Sequence, residues 1–289
     1  MTLKLPKGKT LAIGLGADFD AQSLWMADKQ TSPGALSRGE FGAEVGVPRV
    51  LDLFRRYEIR VTFCTPSHSL LTFPKQIEMI LKDGHEIAAH GVFHEKILTL
   101  EPARERELME MQLEHHQRVV GRRPRGYRSP SWDFSDITLA LLEEFKFEWD
   151  SSLMGRDFEP YHPRPVTVDY ERGNTFGPAS RILEFPVSWY LDDFPFVEFY
   201  PAVGLPGASS AQMLFERWKD AFDYALNNVK NGIFILTVHP QTIGRAPNLM
   251  MYEKLIQHMH AHHEVWFASL SEIFDCWSEN VERTVEEKS

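Results

Sequence analysis

The stretch LAIGLGADFD, residues 11–20, decides the fold. It is short, apolar and β-rich, and it ends in two carboxylates. In a strand, residues i and i+2 point to the same face, so Asp18 and Asp20 come into one small volume. Neighbouring carboxylates repel each other. A divalent cation relieves that repulsion by binding one carboxylate with two neutral imidazoles, leaving coordination positions open for water and substrate. The imidazoles are supplied downstream by His90 and His94 of HGVFH.

Working outward from this first strand, apolar β-rich runs alternate with segments of helical period, the pattern of an α/β architecture. Strands are predicted at Leu11–Ala17, Arg60–Thr65, Glu86–His90, Phe147–Asp150, Ile182–Val187, Ile233–Val238 and Val265–Ala268. Helices are predicted at Gly42–Tyr57, Pro74–Lys82, Pro102–Val120, Ser135–Glu144, Ala211–Asn231, Asn248–His262 and Ser269–Glu279. About seven strands with interposed helices give a distorted or incomplete (β/α) barrel. In such barrels chemistry gathers where strands end and the following loops begin. Asp18 and Asp20 end the first strand, His90 ends the third and His239 follows the sixth in ILTVHP, so distant stretches converge on one rim.

At 289 residues the chain is expected to form one large domain over 1–289, with polar insertions near 155–178 and 192–207 and a frayed tail at 282–289. The insertions are candidate lids or oligomer contacts, which makes a homo-oligomer an expectation. A net charge of −10 argues against nucleic acid or an anionic membrane surface as partner. The first 20 residues read as a strand rather than a signal peptide, and no apolar run approaches membrane-spanning length. The cytoplasm is the expected compartment. Cys64 and Cys276 are far apart and outside any CxxC, so neither a disulfide framework nor a cysteine metal site is expected.

The HxxxH spacing of His90 and His94 discriminates poorly alone, because His258 and His262 share it in IQHMHAHHE, which reads as a solvated helix end. Context separates the two pairs. His90 and His94 follow a Gly-His-Glu turn and a short strand. In HEIAAH, His85 and His90 are one residue too far apart for a helical HExxH metalloprotease motif.

GADFD, DGHEIAAHGVFH, RGYRSPSWDF and ILTVHP, in this order, resemble successive motifs of the polysaccharide deacetylase family, the NodB homology or carbohydrate esterase 4 group. The resemblance runs from about Leu11 to Phe274. DFDAQSLW, SRGEFGAEVGVPRVLDLF, SSLMGRDFEPY and WYLDDFP resemble more narrowly the branch lacking signal peptides, which includes peptidoglycan-deacetylase-like proteins and cyclic imide hydrolases. The resemblance implies that Asp20, His90 and His94 hold a divalent metal: zinc first, with cobalt, manganese, nickel and iron(II) as alternatives. It implies that Asp18 is the general base, that Arg128 holds Asp18 ionised and aimed, and that His239 is the general acid for the departing nitrogen. Trp132, Trp189, Tyr190 and Asp193 would wall the substrate pocket, with Asp192 or Asp193 keeping His239 protonated. Asp150 and Ser151 match a family strand end or a turn cap. His68 and Glu44 are polar residues near predicted element ends.

The chain departs from the polymer-active pattern by having DFD where the usual form is closer to TFDD, HP where HD or HS is common, and no secretion signal. The expected activity is metal-dependent hydrolysis of non-peptide carbon–nitrogen bonds. The substrate is expected to be an acetylated sugar or oligosaccharide, or alternatively a small cyclic imide. A catalytically degenerate carbohydrate-binding protein is a further reading, disfavoured by the presence of Asp18, Arg128 and His239 together. A non-haem iron oxygenase would also use two histidines and a carboxylate, but on an all-β jelly roll.

Overall fold

A computed structural model describes residues 3–200 and 204–277. Its main sheet contains β1 (Leu11–Asp18), β2 (Thr62–Thr65), β3 (Glu86–Ala89), β4 (Gly126–Tyr127), β5 (Trp149–Asp150), β6 (Leu183–Glu184), β7 (Gly232–Val238) and β8 (Val265–Phe267). The strands run in the order β7-β1-β2-β3-β4-β5-β6, and all pairings are parallel. Along one edge β1 pairs with β7 from Leu11 to Ala17. The other edge is shared: β8 pairs with residues 11–13 and β2 with residues 16–18. Seven strands in line thus form a curled half-barrel, as predicted. The open side between β6 and β7 is narrowed by a bridge from Asp192 to Thr237.

β1 is buried along its whole length, as expected of a parallel strand covered on both faces. Its odd residues, Leu11, Ile13, Leu15 and Ala17, join the outer core beneath the helices. That core takes Val50, Leu51 and Phe54 from Val47–Arg56, Leu214, Trp218 and Phe222 from Ala211–Asn228, and Tyr252 and Leu255 from Ala246–His260. The even residues face the barrel interior, where Ala12 joins Ile233, Ile235, Trp149 and Phe185. Residues 270–277 are helical and contribute Leu270, Ile273 and Trp277 to the same inner core.

Two glycines set close approaches that shape the rim. A Cβ at Gly16 would lie 2.6 Å from Arg128 Nη1, so the absence of a side chain there makes room for the guanidinium under Asp18. A Cβ at Gly46 would lie 2.2 Å from the Pro240 carbonyl oxygen. The helical run containing it therefore presses directly on the turn that follows His239.

Several element boundaries differ from the sequence reading. The two-residue β4 was not predicted, because two residues carry no detectable period. The helix predicted from Gly42 begins earlier: Pro33–Phe41 leads through a π turn at Gly42–Gly46 into Val47–Arg56. Ser32 starts it by accepting the Ala35 N–H with its side chain, with Pro33 in the first turn. The insertion near 155–178 carries a small antiparallel pair, Val166–Thr167 with Thr175–Phe176. The insertion near 192–207 carries a short helix, Phe194–Val197, and the antiparallel pair Phe199–Tyr200 with Leu205–Pro206. The tail at 282–289 and the end of the last predicted helix lie outside the described residues. No helix among the described residues is long and apolar enough to cross a membrane.

Candidate active site

The strand ends converge as predicted. Asp18, Asp20, His90, His94 and His239 line one cavity of about 400 Å³, together with Trp132, Trp189 and Asp192. Phe194, Pro195, Tyr200 and Leu205 of the second insertion complete its wall. The first insertion contributes no lining residue.

Asp20 sits at the centre of this constellation. Its carbonyl accepts from the Ser23 and Ser69 hydroxyls at 2.7 Å each, fixing the backbone just past β1. Both side-chain oxygens are buried without a hydrogen-bond partner. Around them His90 Nε2 stands at 3.4 Å, His239 Nε2 at 3.7 Å and His94 Nε2 at 4.0 Å. Burial pushes the carboxyl up, but His94, His90 and His239 outweigh it and hold Asp20 down at about 2. Burial lowers His94 to about 4, so it presents a neutral ring.

His90 has a fixed tautomer. Its Nδ1 lies 2.7 Å from the Arg128 carbonyl, which can only accept, so Nδ1 carries a proton and Nε2 is the nitrogen turned to the cavity. The loop to His94 is tied down by Glu95, whose carboxylate accepts the Val92 and Phe93 N–H groups, and by Gln112, which accepts the Gly91 N–H at 3.0 Å. His94 itself has a positive φ of 58°, as do Ala21, Ser131 and Trp132 at 48°, 57° and 54°. Non-glycine residues in this region carry strain, and here three of them, His94, Ser131 and Trp132, line one cavity.

One donor atom each from Asp20, His90 and His94 lie within 4.8 Å of one another. Two imidazoles and a carboxylate are the donor set of an open catalytic zinc site. A buried, anionic Asp20 with both oxygens unpaired is the observation that fits a cation, since such a group is otherwise costly.

Arg128 is fully buried. It donates from Nη1 to Asp18 Oδ1 at 2.7 Å, from Nε to the Ser151 carbonyl at 2.9 Å and from Nη2 to Ser151 Oγ at 2.8 Å. Burial works against its charge, but Asp18 outweighs it, so the guanidinium stays cationic. Asp18 Oδ2 faces His90 Nε2 at 3.9 Å. Ser151 is set in turn by its neighbours: the Ser152 hydroxyl donates to Asp150 Oδ1, and Glu184 Oε1 accepts the N–H groups of Ser152 and Leu153.

His239 donates from Nδ1 to Asp193 Oδ1 at 2.8 Å, with Asp192 Oδ1 at 3.4 Å. The His239 backbone N–H also donates to Asp193, at 3.0 Å. Of the two aspartates, Asp193 therefore holds the ring, while Asp192 borders the cavity. Burial pulls the imidazole's pKa down, but Asp192 and Asp193 outweigh it and raise it well above the ordinary histidine value.

Trp132 and Trp189 stack with centroids 4.3 Å apart and form one aromatic wall. Tyr190 does not join them. In the 3-10 turn Trp189–Leu191, adjacent side chains diverge, and Tyr190 points to solvent with 71% of its surface exposed. Asp193 is fully buried behind His239 rather than on the cavity surface. Glu44 is exposed, and neither it nor His68 lines the cavity. The sequence reading missed Glu95, Gln112 and Phe194. It also missed an ion pair between Lys96 and Asp28 at the cavity edge, where Tyr200 donates to Asp28 at 2.6 Å.

Residues 40–149 match the family model for polysaccharide deacetylase. The chain is 35% identical over 281 residues to a peptidoglycan deacetylase of Helicobacter pylori, covering 92% of this chain and 96% of that protein. It is 34% identical over 269 residues to a peptidoglycan deacetylase-like protein of Gibberella zeae, covering 84% and 79%. Among solved structures, a Mycobacterium smegmatis protein assigned to the polysaccharide deacetylases superposes with a TM-score of 0.80 at 31% identity, covering 95% and 92%. An allantoinase shares the fold, with a TM-score of 0.78 at 22% identity over 96% and 93%. The chain belongs to the polysaccharide deacetylase family, hydrolases of carbon–nitrogen amide bonds outside the peptide backbone.

Proposed function

We propose that this protein is a metal-dependent amide hydrolase acting on a compact substrate with a single ring, such as a cyclic imide. The observation that carries this reading is the shared cavity of about 400 Å³, lined by the Asp20 cluster, by Asp18 with Arg128 behind it and by His239 with Asp193 behind it. A cavity of that size takes one ring with substituents, and Phe194, Pro195, Tyr200 and Leu205 wall it where an oligomer would need an open groove.

Asp20, His90 and His94 would hold the cation, with zinc suited to this donor set and cobalt, manganese, nickel or iron(II) as substitutes. When bound, it lowers the pKa of a coordinated water toward about 7 and polarises the substrate carbonyl. Asp18 accepts a proton from the attacking water, aimed by its hydrogen bond from Arg128. Water oxygen adds to the carbonyl carbon, and the carbon–nitrogen bond then breaks. His239 delivers the proton the departing nitrogen needs, from Nε2, while Nδ1 keeps its own proton in the hydrogen bond that Asp193 accepts. Trp132 and Trp189 offer a flat face for the ring and exclude water from one side.

A second reading, removal of an N-acetyl group from an amino sugar, is favoured by the likeness to the peptidoglycan deacetylase of Helicobacter pylori. The metal-loaded protein should be assayed in parallel on succinimide, hydantoin, dihydrouracil and N-acetylglucosamine oligomers. Ring opening without acetate release supports the first reading, and acetate release alone supports the second. Turnover of none of them removes both.

A further inference from the structure

The second HxxxH pair acquires a partner that sequence spacing could not supply. His258 lies near the end of the helix Ala246–His260, and His262 lies just beyond it. The backbone at Ala261 remains right-handed helical, with φ −68° and ψ −15°, so the i,i+4 relation brings both rings to one side. Their centroids are 5.4 Å apart. His260 is turned elsewhere, stacking against Phe267 at 6.0 Å. Across from the pair, the helix Ala211–Asn228 presents Asp223, whose Oδ1 accepts from His258 Nε2 at 2.6 Å.

We propose that Asp223, His258 and His262 form a second divalent transition-metal site, which pins the helix Ala211–Asn228 to the end of Ala246–His260. One donor atom from each residue lies within 4.8 Å of the other two. Tetrahedral zinc with ligand bonds of about 2.0–2.2 Å needs its ligand atoms roughly 3.3–3.6 Å apart, so small side-chain adjustments close the site. Those adjustments are open to the residues involved: the His258 and Asp223 side chains are 28% and 32% exposed, enough for a hydrated ion to enter. The donor set of two imidazoles and one carboxylate selects zinc, nickel, cobalt or copper over magnesium or calcium. The C-terminal end of a helix also carries partial negative charge, which favours a cation there.

Lys219 is the local competitor, because its ammonium lies 2.6 Å from Asp223 Oδ2. Asp220 Oδ1 stands 3.6 Å from the same ammonium, so Lys219 has a second anion to turn to when Asp223 is engaged. Behind the site Phe222 packs on both histidine rings at 5.6 Å, and on Phe234 of β7 at 5.8 Å. This gives the polar cluster a dry, rigid backing on the strand that leads to His239. The site shares no residue with the Asp20 cluster and stands independently of the catalytic reading.

The test uses the full, untagged chain, stripped with chelator and equilibrated with zinc at about pH 7.5, where free imidazoles are neutral. We expect about two zinc ions per wild-type chain, about one in His90→Ala and about one in His262→Gln. In a His90→Ala background, zinc should raise the melting midpoint, and adding His262→Gln or Asp223→Asn should abolish the rise. His262→Gln alone should leave turnover of the zinc-loaded protein unchanged. A wild-type stoichiometry near one, or a zinc-induced rise that persists in both double variants, overturns the second site. If one double variant misfolds by circular dichroism, the other carries the comparison. Either failure leaves metal binding at Asp20 as a separate question, read in the His262→Gln protein.

Discussion

Arg128 and His90 are joined through the arginine's backbone: the Arg128 carbonyl accepts the His90 Nδ1 proton at 2.7 Å while its guanidinium donates to Asp18 at the same distance. One residue therefore fixes the tautomer of a candidate metal ligand with its main chain and aims the candidate base with its side chain. The two roles separate on substitution. Arg128→Lys keeps the carbonyl but loses the fork that holds Asp18 and Ser151 together. It should retain metal measured by elemental analysis, with turnover reduced on the order of 10²-fold.

Asp18 and Asp20 should part company in the same way. Asp18→Asn should keep bound metal and lose roughly 10²–10⁴-fold in turnover, because a general base is removed. Asp20→Ala and His90→Ala should lose metal at the centre itself. A fully active Asp18→Asn protein would take the base assignment away.

Asp193 supports His239 from behind, and its removal should be read in the pH profile. The pair of aspartates raises the imidazole's pKa well above the ordinary value, with burial opposing. Asp193→Asn leaves less to hold the proton, so the acid form should be lost at lower pH. The alkaline limb of the rate profile should move toward neutrality, and maximal turnover should fall by roughly 10²-fold. An unmoved limb would detach Asp193 from this role.

Much of this site was legible because it hangs on strand ends. Asp18, Asp20, His90 and His239 follow apolar runs whose period fixes which end of the barrel they reach. What stayed hidden depends on contacts between distant segments. Asp223 becomes a neighbour of His258 only when two helices pack side by side, and Glu95 matters only because the loop after His90 folds its amides onto it. Trp189 and Tyr190 are equally aromatic in sequence, and only the direction of a 3-10 turn separates them. β4 was missed because Gly126–Tyr127 offers two residues to a pattern that needs at least four.

Away from the site, His85 should tie stability to pH. Its Nδ1 accepts the Val61 N–H at 3.2 Å, and its ring packs on Phe54 and Phe63. Burial lowers its pKa to about 4. Between pH 6.5 and about 4 the unfolded chain binds this proton and the folded chain does not, so the contribution is present above pH 6.5 and is lost as pH falls. Denaturant unfolding of His85→Asn should give a shallower dependence of stability on pH across that window than the parent protein. Equal slopes would contradict the assignment.

The most direct test of the central claim is turnover of succinimide and N-acetylglucosamine oligomers by the chelator-stripped chain, before and after zinc or cobalt is returned. The account predicts that stripping abolishes hydrolysis, that add-back restores it in the wild type, and that add-back fails in Asp20→Ala. Hydrolysis indifferent to the chelator, or restored equally in Asp20→Ala, would contradict it.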